Sequence, residues 1–416
     1  MRTTARWYIK FLQWKTQYLT HRQFILLLCG LVGVATGFAA LAMRSLTHFI
    51  EEVLVGNIIR YINYGFYVIF PAVGFLLVYW VKKYIIRKEV SHGIPSILYA
   101  VAKQKGIMKR FQAYGSILTA PITIGFGGSV GLEGPMVVTG AGISSQVARL
   151  FHINQSDRML LLACACAAAL AAIFKVPLAG ILFAIEVFGL DLTLSSLLPL
   201  FVASLSGVLT SYIFFGNAAL LPIYVGDSFL MRNIPFYLLL GVVGGFMSAY
   251  FTFVYEGVNR FFSKFSSAYL RIVIGGAILG LLVFVMPPLY GEGHEVINHL
   301  KAGHPELSIS SNIFGWNLEN PWVVILLLGG LVLFKVVATS VTFGAGGVGG
   351  IFSPMLFMGG VMGNCFARII NQIDILPYKL PLANFTLIGM TALMTGVLHA
   401  PLTAIFLIAE VTGGYS

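Results

Sequence analysis

Glu133 is the only charged residue between Arg110 and Arg149, and it sits within Gly131-Leu-Glu-Gly-Pro135. Burying a lone carboxylate in so long an apolar stretch is costly unless the group serves a purpose. Its neighbours suggest one. Glycine followed by proline marks a helix start, where the first backbone N–H groups have no carbonyl partner of their own. Ionised, Glu133 can accept those N–H groups. Protonated or displaced, it leaves them to another anion. Glu133 therefore reads as a gate, and the blander alternative is a carboxylate that only caps its helix.

The same grammar, a glycine-bearing break followed by proline, occurs at Ser91-His-Gly-Ile-Pro95 and Gly350-Ile-Phe-Ser-Pro354. A full positive charge inside a membrane would hold an anion too tightly for rapid release. Helix starts offer partial charge instead, so anion selectivity calls for no ring of buried lysine or arginine. His92 can donate a ring N–H and gain charge in mildly acid conditions, or turn away while the backbone binds. Lys175, the only charged residue between Arg158 and Glu186, either attracts anions, pairs with a carboxylate or snorkels to an interface.

Elements that position such groups must lie in a bilayer. Of 416 residues 58% are hydrophobic and 10% charged, and the mean hydropathy is +0.89, which excludes an ordinary soluble domain. Uncharged runs of span length cover Phe24 to Met43, Tyr61 to Val81, Asn233 to Tyr255 and Ile272 to Gly291. Arg2, Arg6, Lys10, Lys15 and Arg22 precede the first run, and Lys82, Lys83, Arg87 and Lys88 follow the second. Both clusters are expected in the cytoplasm. The net charge of +11 thus flanks spans, and a nucleic-acid partner is not expected. Residues 1–23 read as a cytoplasmic or interfacial amphipathic segment, with no cleavable signal evident. Cys29, Cys164, Cys166 and Cys365 lie in apolar sequence and read as packing residues; no metal or other cofactor is expected.

The chain also repeats itself. Pro177-Leu-Ala-Gly-Ile-Leu-Phe-Ala-Ile-Glu-Val187 returns 224 residues later as Pro401-Leu-Thr-Ala-Ile-Phe-Leu-Ile-Ala-Glu-Val411. Gly127-Gly-Ser-Val-Gly131 and Gly346-Gly-Val-Gly-Gly350 precede the two copies. Paired, interrupted hydrophobic segments point to a transporter built from repeats, with its site at the breaks. Equivalent placement of Glu186 and Glu410 favours a structural role for both. Two enzyme-like patterns fit less well. Gly127-Gly-Ser129-Val-Gly131 matches a serine-nucleophile elbow and keeps an intramembrane serine hydrolase as a remote alternative, but valine replaces Ser129 in the second copy. Gly344-Ala-Gly-Gly-Val-Gly349 follows a span, which is the wrong context for a dinucleotide fold.

The three break motifs, in this order and with the proline-led repeat between the second and third, resemble the CLC family of chloride channels and chloride/proton exchangers over residues 24–416. The resemblance implies an all-α membrane protein with a CLC-type inverted repeat of tilted, broken and re-entrant helices. Residues 24–215 would form the first half and 216–416 the second, lacking the last helices and any soluble regulatory domain. It implies Glu133 as the external gate. The anion-binding residues would be Ser91, His92, Gly93, Ile94 and Pro95, with Gly131, Leu132, Gly134 and Pro135, and with Gly350, Ile351 and Phe352. It further implies a homodimer with one pore per subunit, in a bacterial inner membrane, with the N-terminus cytoplasmic. The ligand would be chloride or a similar small anion, with protons as a possible second substrate.

Departures from the pattern matter. His92 stands where the signature serine is usual, which leaves the choice among chloride, nitrate and fluoride open. Val187 occupies the position of the exchangers' internal proton-relay glutamate, which favours channel-like or weakly coupled transport; a chloride/proton antiporter with another proton route is the alternative. Tyr415 comes too early to be the family's C-terminal anion ligand.

Overall fold

Thr20 opens the first long helix of the computed structural model, which describes residues 18–59, 64–88, 90, 93–216, 230–302, 304, 318–374 and 376–412. The Thr20 hydroxyl accepts from Gln23 N–H while the Gln23 amide oxygen accepts from Thr20 N–H, and the reciprocal cap fixes the start of α1 (His21–Glu51). Residues 21–23 therefore belong to this helix. At 31 residues α1 is about 46 Å long, more than a hydrocarbon core of about 30 Å, so it must tilt or project. Phe24, Leu28 and Val32 on one face are buried, whereas Leu27, Leu31 and Phe38 on the other are exposed. A helix apolar on both faces has protein on one side and lipid on the other.

Fourteen further α-helices follow among the described residues: α2 (Phe70–Trp80), α3 (Gly93–Gln104), α4 (Gly115–Gly125), α5 (Glu133–Leu150), α6 (Gln155–Phe174), α7 (Pro177–Phe188), α8 (Leu194–Phe215), α9 (Ile234–Ser263), α10 (Ala268–Val285), α11 (His294–Lys301), α12 (Pro321–Gly344), α13 (Phe352–Ile373), α14 (Leu382–Leu398) and α15 (Pro401–Thr412). Six helical stretches among the described residues, containing α1, α6, α8, α9, α10 and α12, are long and apolar enough to cross a membrane. The protein is an all-α integral membrane protein. α5 and α13 are interior helices. Most of α5 is buried, including its whole first half, and small residues such as Gly134, Gly140 and Ala141 pack closely against neighbours there.

Two of the expected spans are interrupted. Ile272–Gly291 leaves the helix after Val285, because Pro287 and Pro288 cannot continue the hydrogen-bond ladder. Of Tyr61–Val81, the described residues from Tyr64 on form a tight turn over Tyr64–Val68 and then the eleven residues of α2.

The repeat is visible in the backbone. The run α4 to α7 and the run α12 to α15 each pass a glycine hinge with the same positive φ, +94° at Gly127 and +95° at Gly346. α6 and α14 end on residues in the left-handed region, Lys175 and His399, placed just before Pro177 and Pro401. The two proline-led helices then cap each other. Glu186 accepts from Leu402 N–H (2.8 Å), Thr403 N–H (2.7 Å) and the Thr403 hydroxyl. Glu410 accepts from Leu178 N–H (3.0 Å) and Ala179 N–H (2.7 Å). Neither carboxylate is free to carry protons without uncapping a helix. Lys175 is fixed as well: its ammonium donates to Gly216 O and lies 4.8 Å from the Tyr212 ring centroid. All four cysteines are free thiols, and Cys29 and Cys164 pack 3.7 Å apart in the core.

Replacing Glu410 with alanine strands two helix-start N–H groups, each previously bound to a charged acceptor at about 1.5–3 kcal/mol. Thermal unfolding in detergent should therefore begin several degrees lower in Glu410→Ala, and similarly in Glu186→Ala. Melting curves that overlay the parent protein's would show that these caps do not support the fold.

Candidate functional site

α5 and α13 begin face to face. Gly131 N–H donates to Gly350 O (2.9 Å) and Gly350 N–H to Gly131 O (2.7 Å), a single antiparallel bridge joining the two breaks. The approach is possible only without side chains. A Cβ on Gly350 would lie 2.6 Å from Gly134 N, and one on Gly134 would lie 2.9 Å from Gly350 Cα. Beyond the bridge, Pro135 and Pro354 sit at the third position of their helices, so the first turns keep N–H groups with no intrahelical acceptor.

Glu133 lies at this junction and is fully buried. Its Oε1 accepts from the hydroxyl of Ser353 in the first turn of α13, while Oε2 has no hydrogen-bond partner among the described residues. The carboxylate of one helix start is thus bonded to a side chain of the other. Such a group can hold the place of an anion and can give it up.

The interrupted span supplies what sequence reasoning missed. After Pro287 and Pro288 the chain turns back through Gly291-Glu-Gly-His294 and brings Glu292 and His294 against the gate. Glu292 Oε1 accepts from Leu132 N–H (2.8 Å), and its Oε2 lies 3.5 Å from His294 Nε2. The same Nε2 lies 3.3 Å from Ser353 Oγ. Lys335 of α12, fully buried, anchors this loop by donating to Gly291 O (2.9 Å), and stands 4.7 Å from the Phe357 ring centroid. Glu292 and His294 line a vestibule of about 650 Å³ at the C-terminal end of α1, shared with Arg44, Glu51, Tyr67 and Glu295. Lys335 carried the same signal that marked Glu133, since it is the only charged residue between Glu319 and Arg368. Lys335 is a single buried cation bonded to a backbone carbonyl, not a ring of cations along an anion path.

Glu133, Glu292 and His294 each bring one donor atom within 4.8 Å of the others. One oxygen of each carboxylate is already bonded within the protein, Glu292 Oε1 to Leu132 N–H and Glu133 Oε1 to the Ser353 hydroxyl.

Of the remaining expected site residues, Gly131, Leu132, Gly134, Pro135, Gly350 and Phe352 are buried at the junction, with Ile351 half-buried beside them. Phe352 packs edge-on to Phe183 of α7, with centroids 5.7 Å apart. Gly93 and Ile94, half-buried, and Pro95, exposed, open α3, which packs against α5; they take no part in the bridge. Ser91, His92 and Tyr415 lie outside the described residues. Val187 is half-buried against the core and offers nothing to titrate. Ser129 is buried, with its N–H donating to Thr342 Oγ1 (3.1 Å) and its carbonyl accepting from the Thr339 hydroxyl (2.8 Å). Among the described residues it has no acid–base partner, as a hinge residue would not.

Residues 73–416 match the family described as voltage gated chloride channel. Among curated relatives, the H(+)/Cl(-) exchange transporter ClcA of Salmonella arizonae is 27% identical over 94% of this chain and 81% of its own. A ClcB-like protein of Ralstonia nicotianae, named for a chloride channel, is 27% identical over 94% of this chain and 89% of its own. Among solved structures, a slow cyanobacterial Cl-/H+ antiporter superposes with a TM-score of 0.77 at 22% identity, covering 95% of this chain and 91% of that one. A CLC-type fluoride/proton antiporter gives 0.76 at 21% identity, covering 95% and 92%. These structures share the fold.

Gly350→Ala must push the two helix starts apart, and misplacement of about 1 Å at a site of this kind costs roughly a hundredfold. Anion flux in proteoliposomes, normalised to folded protein by gel filtration, should fall by at least about tenfold. Flux equal to the parent's would mean that the two starts do not form one site.

Proposed function

The chain belongs to the voltage-gated chloride channel family, and from that premise we propose that it carries chloride or a similar small anion through a pore gated by Glu133. One observation carries the reading: the Glu133 carboxylate, fully buried at the start of α5, is bonded to Ser353 at the start of α13. In that position it competes with an anion for the N–H groups of both first turns. The anion would be held by the backbone of Ile351 and Phe352, with the start of α3 at Gly93 and Ile94 as a third source of partial positive charge, and residues 91–95 tuning selectivity through His92. In this reading residues 24–215 and 216–416 are the two repeat halves, and two copies of the chain form the working protein.

Orientation follows from charge. With the basic residues before α1 and after α2 in the cytoplasm of a bacterial inner membrane, the vestibule at the far end of α1 opens to the outside. Protons then reach Glu133 from that side. Toward the inside, Val187 cannot relay a proton, and Glu186 is committed to the start of α15. Transport is therefore channel-like or weakly coupled. The exchanger reading draws on the relatives named as H(+)/Cl(-) exchange transporters and needs an inner proton route that bypasses Val187. Reversal potentials under crossed chloride and pH gradients separate the two. A potential following chloride alone fits the channel, and one displaced by the proton gradient fits the exchanger.

Neutralising the gate tests the core of the proposal. As external pH falls, Glu133 takes up a proton and leaves the site, so anion flux rises. Glu133→Gln should hold flux near its acid value at every pH and abolish any proton movement. A Glu133→Gln protein that keeps the parent's pH profile would remove Glu133 from the gate.

A further inference from the structure

We propose that Glu292, His294 and Ser353 form a side-chain relay that delivers external protons to Glu133, an inference that rests on the gate assignment of Glu133. The geometry is continuous. Glu292 and His294 line the vestibule, with side chains 16% and 10% exposed, whereas Glu133 is wholly buried. His294 Nε2 faces Glu292 Oε2 at 3.5 Å on one side and Ser353 Oγ at 3.3 Å on the other, and the Ser353 hydroxyl already donates to Glu133 Oε1.

The transfer balances with three groups and no outside reactant but the proton. A proton arriving from the vestibule rests on Glu292 Oε2, which is free to receive it because Oε1 is held by Leu132 N–H. Both atoms facing His294 Nε2 are acceptors, since the Ser353 hydroxyl hydrogen is committed to Glu133, so Nε2 carries the ring hydrogen. Nε2 gives that proton to Ser353 Oγ as the Ser353 hydroxyl proton moves to Glu133 Oε1, and takes the Glu292 proton in its place. Glu292 returns to carboxylate, His294 to its starting tautomer, and Ser353 to a hydroxyl that rotates back. Glu133 ends neutral and loses its hold on the site. Imidazole suits the middle position because small changes of surroundings move its proton affinity across neutrality.

The charged and titratable groups facing this relay come from α1 and the helical turn that continues it, from α11 and from α12. Arg44, His48 and Glu51 of α1, Glu52 just beyond it, and Glu295 and His299 of α11 line the vestibule with Glu292, and Lys335 of α12 holds the carbonyl of Gly291 next to Glu292. Lys335 keeps the loop in place. Glu295, exposed on the vestibule, draws protons toward Glu292.

The test is a rapid external acidification, pH 7.5 to 5.5, of the full-length chain oriented in a supported membrane, with the onset rate of chloride current as the readout. General acid–base groups are commonly worth a hundredfold or more, so His294→Gln and Ser353→Ala should each slow onset by at least about tenfold. External imidazole should restore the rate in His294→Ala and leave Ser353→Ala slow, a pattern that loss of structure alone would not give. In the Glu133→Gln background no activated phase remains for either change to alter. Parent-like onset in both His294→Gln and Ser353→Ala, with Glu133→Gln silent, would overturn the relay and leave the gate standing. An activated phase persisting in Glu133→Gln would overturn the gate, and the relay with it.

Discussion

Unpaired backbone N–H groups cannot be left in the interior of a membrane protein. Two helices of this chain, α5 and α13, nevertheless start there, facing each other across the bridge between Gly131 and Gly350. Much of the surrounding structure follows from that constraint. Glycine at 134 and 350 lets the starts approach, and Pro135 and Pro354 each remove one donor from the first turns. Glu133 answers part of the remaining demand with a negative charge. An interior that needs an anion, and supplies its own removable one, has the essentials of a gated anion path.

The scaffold that keeps the starts aimed is symmetric, and the chemistry it carries is not. Glu186 and Glu410 cap α15 and α7 reciprocally, so each half of the repeat locks a helix of the other. By contrast Glu133 has no acidic counterpart at the matching position of the second half, which is Phe352. The loop bearing Glu292 and His294 reaches the junction from one side only, pinned by Lys335. On the proposed reading this asymmetry gives protons one way in, from the vestibule, and gives the anion a path through.

Much of this was legible in the residues. Isolation of Glu133 in apolar sequence located the gate candidate, and the proline-led repeat located the capping pair Glu186 and Glu410. The positions of Gly127 and Gly346 fixed a hinge that the backbone shows at matching φ. What escaped was long-range. Ile272–Gly291 looked like one uninterrupted span because its hydropathy is continuous, whereas Pro287 and Pro288 end the helix and send Glu292 and His294 back to the site. Nothing local announces which break a returning loop will reach. Ser353 was hidden for a similar reason: a serine in a first turn reads as a cap until the facing helix is known to carry a carboxylate. Lys335 was legible in principle, by the same isolation that marked Glu133.

The central claim is that Glu133 and the transported anion compete for one position between the starts of α5 and α13. Anomalous diffraction from bromide-soaked crystals of the parent protein and of Glu133→Gln addresses it directly. The account predicts a bromide near the backbone of Ile351 and Phe352 in both proteins, and an additional peak in Glu133→Gln where the carboxylate had been. Identical peaks in the two proteins, or no ion between the two helix starts in either, would contradict it.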